Sequence, residues 1–168
     1  MEKCELASWC CRFRLSKYHE DIEPYRGREG EFHRLFAPYE VRVGEGNCLL
    51  NTGIDEMWDL IVGDSANHFN SAGAQVGVGD SSTAANASQT DLQAATNKTY
   101  KGMDSGYPTS TAQKATFRSS FGASDANYAW NEWVVKQSTS AKCLNRKVDS
   151  LGTKSGGTWM LEVNITLS

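Results

Sequence analysis

In the run Thr158-Trp-Met-Leu-Glu-Val-Asn-Ile-Thr-Leu167 every odd position is apolar and most even positions are polar. Side chains of an extended strand alternate between two faces, whereas those of a helix recur every ~3.6 residues. The run therefore predicts a strand that buries Trp159, Leu161, Val163, Ile165 and Leu167 on one side. Such a strand needs hydrogen-bonded neighbours and a second layer over its apolar face.

Other segments supply candidates for both. Ser8 to Ser16 sets Trp9, Cys11, Phe13 and Leu15 against Cys10, Arg12 and Arg14. Lys114 to Phe121 alternates in the same way, and Trp130 to Lys136 is rich in Trp and Val. Gln75 to Val78 and Cys143 to Val148 read as shorter strands. Phe32 to Val43 is expected to be extended, with Pro38 marking an edge or a break. The two N-terminal runs are expected to pair as a hairpin across the charged turn Tyr18 to Gly30. One helix is predicted, over Gly53 to Val62. Thr52-x-x-Asp55 resembles a capping box, Ile54, Met57, Trp58 and Ile61 follow at helical spacing, and Gly63 stops it. The expected fold is mainly β: a β-sandwich-like body with one short α-helix and an extended N-terminal hairpin or arm.

Charge divides the chain. Residues 1–46 hold 8 Lys/Arg and 9 Asp/Glu, and residues 47–168 hold 9 and 11, so charge density falls by more than half after Gly44-Glu45-Gly46. The division predicts a charged N-terminal arm, residues 1–46, joined to a lightly charged β-rich body, residues 47–168. On that reading the body stays folded when the arm is removed. The total of 168 residues fits a single domain, with or without such an arm. A net charge of −3 argues against a protein that holds nucleic acid by bulk positive charge. No apolar run reaches the ~18 residues of a membrane span. Met1-Glu2-Lys3-Cys4-Glu5 lacks the basic start and apolar run of a signal peptide, so synthesis in a cytoplasm is expected.

Motifs that carry chemistry are scarce. The five cysteines, Cys4, Cys10, Cys11, Cys48 and Cys143, include no C-x-x-C. Cys4, Cys10 and Cys11 with His19 or His33 match no zinc spacing, and no metal is expected. Reduced thiols are the simpler reading, although exposed thiols at Cys4, Cys10 or Cys11 would cross-link neighbouring copies on oxidation. Gly77-Val-Gly79-Asp80 lacks the third glycine of a dinucleotide fingerprint and reads as a strand ending in a turn. No cofactor is expected. Trp130-Asn-Glu-Trp133 is the most chemical patch. Glu132 flanked by Trp130, Trp133 and Tyr128 would suit a sugar, with Glu132 as an acid if a second carboxylate lay ~5–9 Å away. Strict alternation would instead send Trp130 and Glu132 to one face and Trp133 and Val135 to the other, with one Trp in the core. That second reading is preferred, because burying aromatics is their commoner use.

Asn47-Cys-Leu-Leu-Asn-Thr-Gly-Ile-Asp-Glu-Met-Trp-Asp-Leu, Val76-Gly-Val-Gly-Asp-Ser-Ser-Thr-Ala-Ala and Thr90-Asp-Leu-Gln are followed by Ala115-Thr-Phe-Arg-Ser-Ser-Phe, Trp130-Asn-Glu-Trp and Leu144-Asn-Arg. Together with the closing strand, this series resembles a group of tailed-bacteriophage structural proteins over about residues 47–168. The resemblance implies a non-enzymatic virion component made in a bacterial host, most simply a capsid decoration or cement protein. Its implied partners are further copies of itself, as a trimer, and the major capsid protein. The alternative is a tail, baseplate or fibre component that binds host carbohydrate through the Trp130 patch. Residues 1–46 lie outside the resemblance. Their Arg12, Arg14, Arg26, Arg28, Arg34 and Arg42, with Trp9 and Phe13, are the candidate contacts to neighbouring subunits.

Overall fold

In the computed structural model, which describes residues 8–168, the closing run is a strand and the centre of a sheet. Here β1 (Trp9–Tyr18) pairs antiparallel with β10 (Thr158–Leu167) over their whole lengths, from Trp9↔Leu167 to Tyr18↔Thr158. On the other side of β10 lies β7 (Lys114–Phe121), with Trp159 opposite Phe121. The edges are β2 (Glu40–Glu45) beside β1 and β6 (Thr109–Thr111) beside β7. The second sheet runs in the order β3 (Cys48–Leu49), β9 (Cys143–Thr153), β8 (Ala129–Gln137), β4 (Ala74–Gly79), β5 (Lys98–Gly102). Both sheets are antiparallel and five-stranded, giving the expected β-sandwich.

The core lies between them. Trp159, Leu161, Val163 and Ile165 are buried as their alternation predicts, while Leu167 ends the strand 48% exposed. Trp130 sits between Phe121 and Trp159, with ring centroids 4.8 and 4.9 Å away, and Phe13 meets Trp133 edge-on at 5.6 Å. Each such side chain contributes ~1.5–3 kcal/mol by leaving water.

The predicted N-terminal hairpin forms, with β1 and β2 in register from Arg12↔Glu45 to Lys17↔Glu40. It is no separate arm. Because β1 lies between β2 and β10, Cys11, Phe13 and Leu15 are part of the sandwich core. The charge step at Gly44-Glu45-Gly46 therefore divides composition, not packing.

Its connection is also more than a turn. Residues 23–25 form a single 3₁₀ turn and α1 (Glu29–Leu35) occupies the start of the run expected to be extended. Phe32 and Phe36, four residues apart, bring their rings to within 5.0 Å of each other. Phe32 docks with Tyr18 and Ile22 against Met160 of β10. The excursion thereby covers one end of the first sheet's outer face.

The predicted helix is α2 (Asn51–Val62), closed by Gly63 in the left-handed region at φ 88°. The capping box does not form: Leu50 is the N-cap, and the Thr52 hydroxyl donates to the Cys143 carbonyl at 3.0 Å. The buried face also differs from expectation. Gly53 and Glu56 turn inward, while Trp58 and Ile61 are 60% and 72% exposed. A Cβ on Gly53 would lie 2.6 Å from the Leu144 Cα, so only glycine lets the helix approach β9 this closely. Glu56 tolerates burial because Lys142 and the Ser65 hydroxyl each meet its carboxylate at 2.8 Å. No helix among the described residues is long and apolar enough to cross a membrane.

Candidate functional site: an exposed half-sheet

The outer face of the first sheet has two halves. At one end the excursion between β1 and β2 seals it. The Thr158 hydroxyl accepts the Ile22 N–H and donates to the Glu20 carbonyl, both at 2.8 Å. Asp104 accepts the Ser120 hydroxyl at 2.7 Å and Arg118 Nε at 3.1 Å. Burial pushes the Asp104 carboxyl above the usual carboxylate range despite these donors.

The other end is open. Register places Cys10, Arg12 and Arg14 of β1 beside Thr166, Asn164 and Glu162 of β10, with Lys114 of β7 beyond and Val43 and Glu45 of β2 on the near side. A shallow depression of about 530 Å³ lies over Cys10, Arg12, Lys114, Glu162, Asn164 and Thr166. A second adjoins it across Arg12 toward Val43 and Glu45.

Its polar contacts are weak ones. Arg12 Nε meets Glu45 at 2.8 Å with both side chains about two-thirds exposed, and such pairs are worth ~0–1 kcal/mol. Arg14 Nε donates only a long bond, 3.4 Å, to Ser16, and forms no ion pair among the described residues. Asn164 donates to Glu162 at 3.2 Å and accepts the Thr116 hydroxyl at 2.8 Å. Charges held this loosely can exchange their partners for those of another surface at little cost. Both signs are present, so the patch favours a partner whose charges are also mixed.

Two of the six predicted arginines, Arg12 and Arg14, belong to this face. Arg26 is tied to Glu23 at 2.7 Å and Asp125 at 3.6 Å, and Arg28 to Glu31 at 2.9 Å, all within or beneath the excursion. Arg42 crosses to the second sheet, where it meets Asp149 at 2.6 Å and the Ser150 carbonyl. Arg34 is exposed on α1. Phe13 is 2% exposed and is a core residue rather than an interface one. Trp9 is half-buried, and its indole N–H donates to Asn47 at 2.9 Å. Trp9 also lines a small apolar opening between the sheets with Met57, Phe117 and Leu167.

The carbohydrate patch does not reach the surface. Trp130, Glu132 and Trp133 are all fully buried, and the half-buried Tyr128 gives its hydroxyl to the Val78 carbonyl at 3.2 Å. A register shift between Trp130 and Glu132 sends both tryptophans into the core, contrary to strict alternation. Glu132 turns to the outer side of the second sheet. There it accepts the Ala94 N–H at 2.7 Å, the Gln93 N–H at 3.0 Å and an ion pair from Arg146 at 2.6 Å. Arg146 in turn donates to Gln89 and to the Thr83 carbonyl. The pair thus fastens the long loop between β4 and β5 onto the sheet.

Thiol placement follows the same alternation. Cys10 is exposed, whereas Cys11, facing the core, is buried and its thiol is pushed up to about 12, chiefly by that burial. Cys11 is therefore unsuited to cross-linking. Burial raises Cys143 to about 12 as well, with Asp91 adding to the effect. Cys4 lies outside the described residues. Among the described residues no three His, Cys, Asp or Glu side chains converge on a point that would hold a metal ion.

Glu45, Lys114, Glu162, Asn164 and Thr166 were not foreseen as parts of this face. Their signal was present as the polar half of each alternating strand, but only the register brings them beside Arg12. No family model, curated protein or solved structure matches this chain.

Proposed function

We propose that this chain is a structural component of a tailed-phage virion, a head decoration or cement protein that works through contacts between subunits. The observation that carries the reading is the open half of the first sheet, where loosely held charges of both signs lie on a broad, shallow face. The resemblance over residues 47–168 supplies the context, and the partners are copies of this chain and the major capsid protein. The reading gives the protein a surface to bind with, not a reaction to catalyse.

Heads assembled without the protein and then mixed with purified chain provide the test. Sedimentation of the chain with the heads, at a stoichiometry of hundreds per particle, is the expected result. Recovery only with tails, at a handful of copies, would replace the head assignment with a tail one. Recovery with neither would overturn the virion reading.

A further inference from the structure

Edge strands carry unpaired backbone groups that most proteins blunt or cover. Three of the four edges here follow that rule. β3 has two residues and β6 three, and β5 carries an exposed Lys98. The fourth, β2, runs for six residues. The Gly46 N–H donates to the Cys11 carbonyl at 2.8 Å. By the alternation of an antiparallel ladder, residues 44 and 42 then face β1, while Val41 and Val43 turn their backbone groups outward. At the start of the strand the Tyr39 N–H also turns to β1, donating to the Lys17 carbonyl at 2.8 Å, so Tyr39 offers the edge its side chain only. Among the described residues, no turn, loop or side-chain bond reaches either valine.

Charge does not guard this edge. Glu40 is tied to Lys17 at 2.8 Å and Arg42 to Asp149 at 2.6 Å, while Glu45, held loosely by Arg12, stands at the far end of the strand. The side chains left without such ties are apolar: Tyr39 is 50% exposed, Val41 41% and Val43 69%.

We propose that two copies of this chain pair edge to edge through β2, antiparallel about a twofold axis at Val41, and so join their first sheets into one. In that register Val41 meets its own copy, Tyr39 meets the partner's Val43, and Glu40 meets the partner's Arg42. The outer row pairs apolar with apolar and the inner row pairs acid with base, the combinations that stabilise cross-strand neighbours. The outward groups of Val41 make it a hydrogen-bonded pair across the axis. Neighbouring registers lose this match. An axis at Arg42 sets two arginines face to face, and one at Val43 sets Val41 against Glu45. The contact is isologous and closes at two copies, where the phage resemblance implies three. It concerns the purified chain and stands or fails independently of the virion reading.

A ladder this short lies below the ~1,200 Å² of standard interfaces, so the dimer is concentration-dependent. Sedimentation velocity on the full chain should show dimer accumulating as concentration approaches about 1 mM. Val41→Lys should restore the monomer with an unchanged circular dichroism spectrum. Cysteine variants read the register. Under copper–phenanthroline oxidation, Val41→Cys should form a disulfide-linked dimer well above the wild-type level set by the native cysteines, since a hydrogen-bonded pair holds its Cα atoms about 5.5 Å apart. Val43→Cys should stay at the wild-type level, because position 43 faces position 39. A monomer at every concentration overturns the pairing, as does cross-linking of Val43→Cys equal to that of Val41→Cys.

Discussion

Glu132 and Arg146 meet at 2.6 Å across β8 and β9 with neither side chain reaching solvent. Removing one member of such a pair strands the other charge in a dry environment, at a cost of ~3–5 kcal/mol. Glu132→Gln should therefore lower the urea midpoint sharply and loosen residues 80–97, read as faster amide exchange at Gln93 and Ala94. Joint replacement of the pair by apolar residues of similar volume should cost less than the single change. An unchanged midpoint in Glu132→Gln would show that Arg146 finds another counter-charge.

Deleting residues 1–46 should abolish folding rather than release an arm. The deletion removes β1, exposes β10 along its length and takes Phe13 and Leu15 from the core. Soluble truncated protein with dispersed amide proton shifts would refute this.

Gly53→Ala tests the approach of α2 to β9. Alanine in an exposed helix interior is favoured over glycine by ~1 kcal/mol. Here the added methyl meets Leu144 backbone, which cannot rotate away. The substitution should destabilise, by ~1–3 kcal/mol for an overpacked site. Thermal melts supply the sign.

His33 gives the fold a pH dependence. Its Nδ1 lies 3.1 Å from the Tyr18 hydroxyl, and burial, helped by Arg118, lowers its pKa to about 4. The unfolded value is ~6.5. Between those values the unfolded chain binds the extra proton, so stability rises with pH. The contribution is fully present above ~6.5 and declines as pH falls toward 4, by on the order of 1–2 kcal/mol for a partly solvated group. Urea midpoints of His33→Phe should fall less than those of wild type over that interval. Equal declines would assign the effect to carboxylates alone.

Arg12→Glu with Arg14→Glu should weaken binding to heads while leaving the melting temperature within about 2–4 °C, because each surface change of this kind lies within ~0.5 kcal/mol of neutral. A large fall in melting temperature would mean that the face supports the fold itself.

The strands were legible where one face meets the opposite sheet and the other is mostly polar, since that contrast writes period two directly into residues 9–15, 114–121 and 158–165. Trp130 and Trp133 broke the pattern because a register shift let both fill the core, one of them between Phe121 and Trp159. That choice depends on partners remote in sequence. α1 was hidden for a similar reason. A helix of seven residues is marginal alone and is held by Phe32 docking near Met160. Of the candidate face, Arg12 and Arg14 were readable from alternation, but Glu162, Asn164 and Lys114 acquired meaning only as their neighbours.

The pairing of Trp9 with Leu167 has a consequence for biosynthesis. Among the described residues, β1 leaves the ribosome before the other strands yet waits for β10 before it has both neighbours, whereas the strands of the second sheet are complete once residue 153 has emerged. Folding on the ribosome should therefore begin with the second sheet, leaving Phe13 and Leu15 uncovered meanwhile. Such long-range closure is slow and exposes sticky surface. Ribosome-stalled chains ending near residue 155 are the species on which chaperone capture should be strongest.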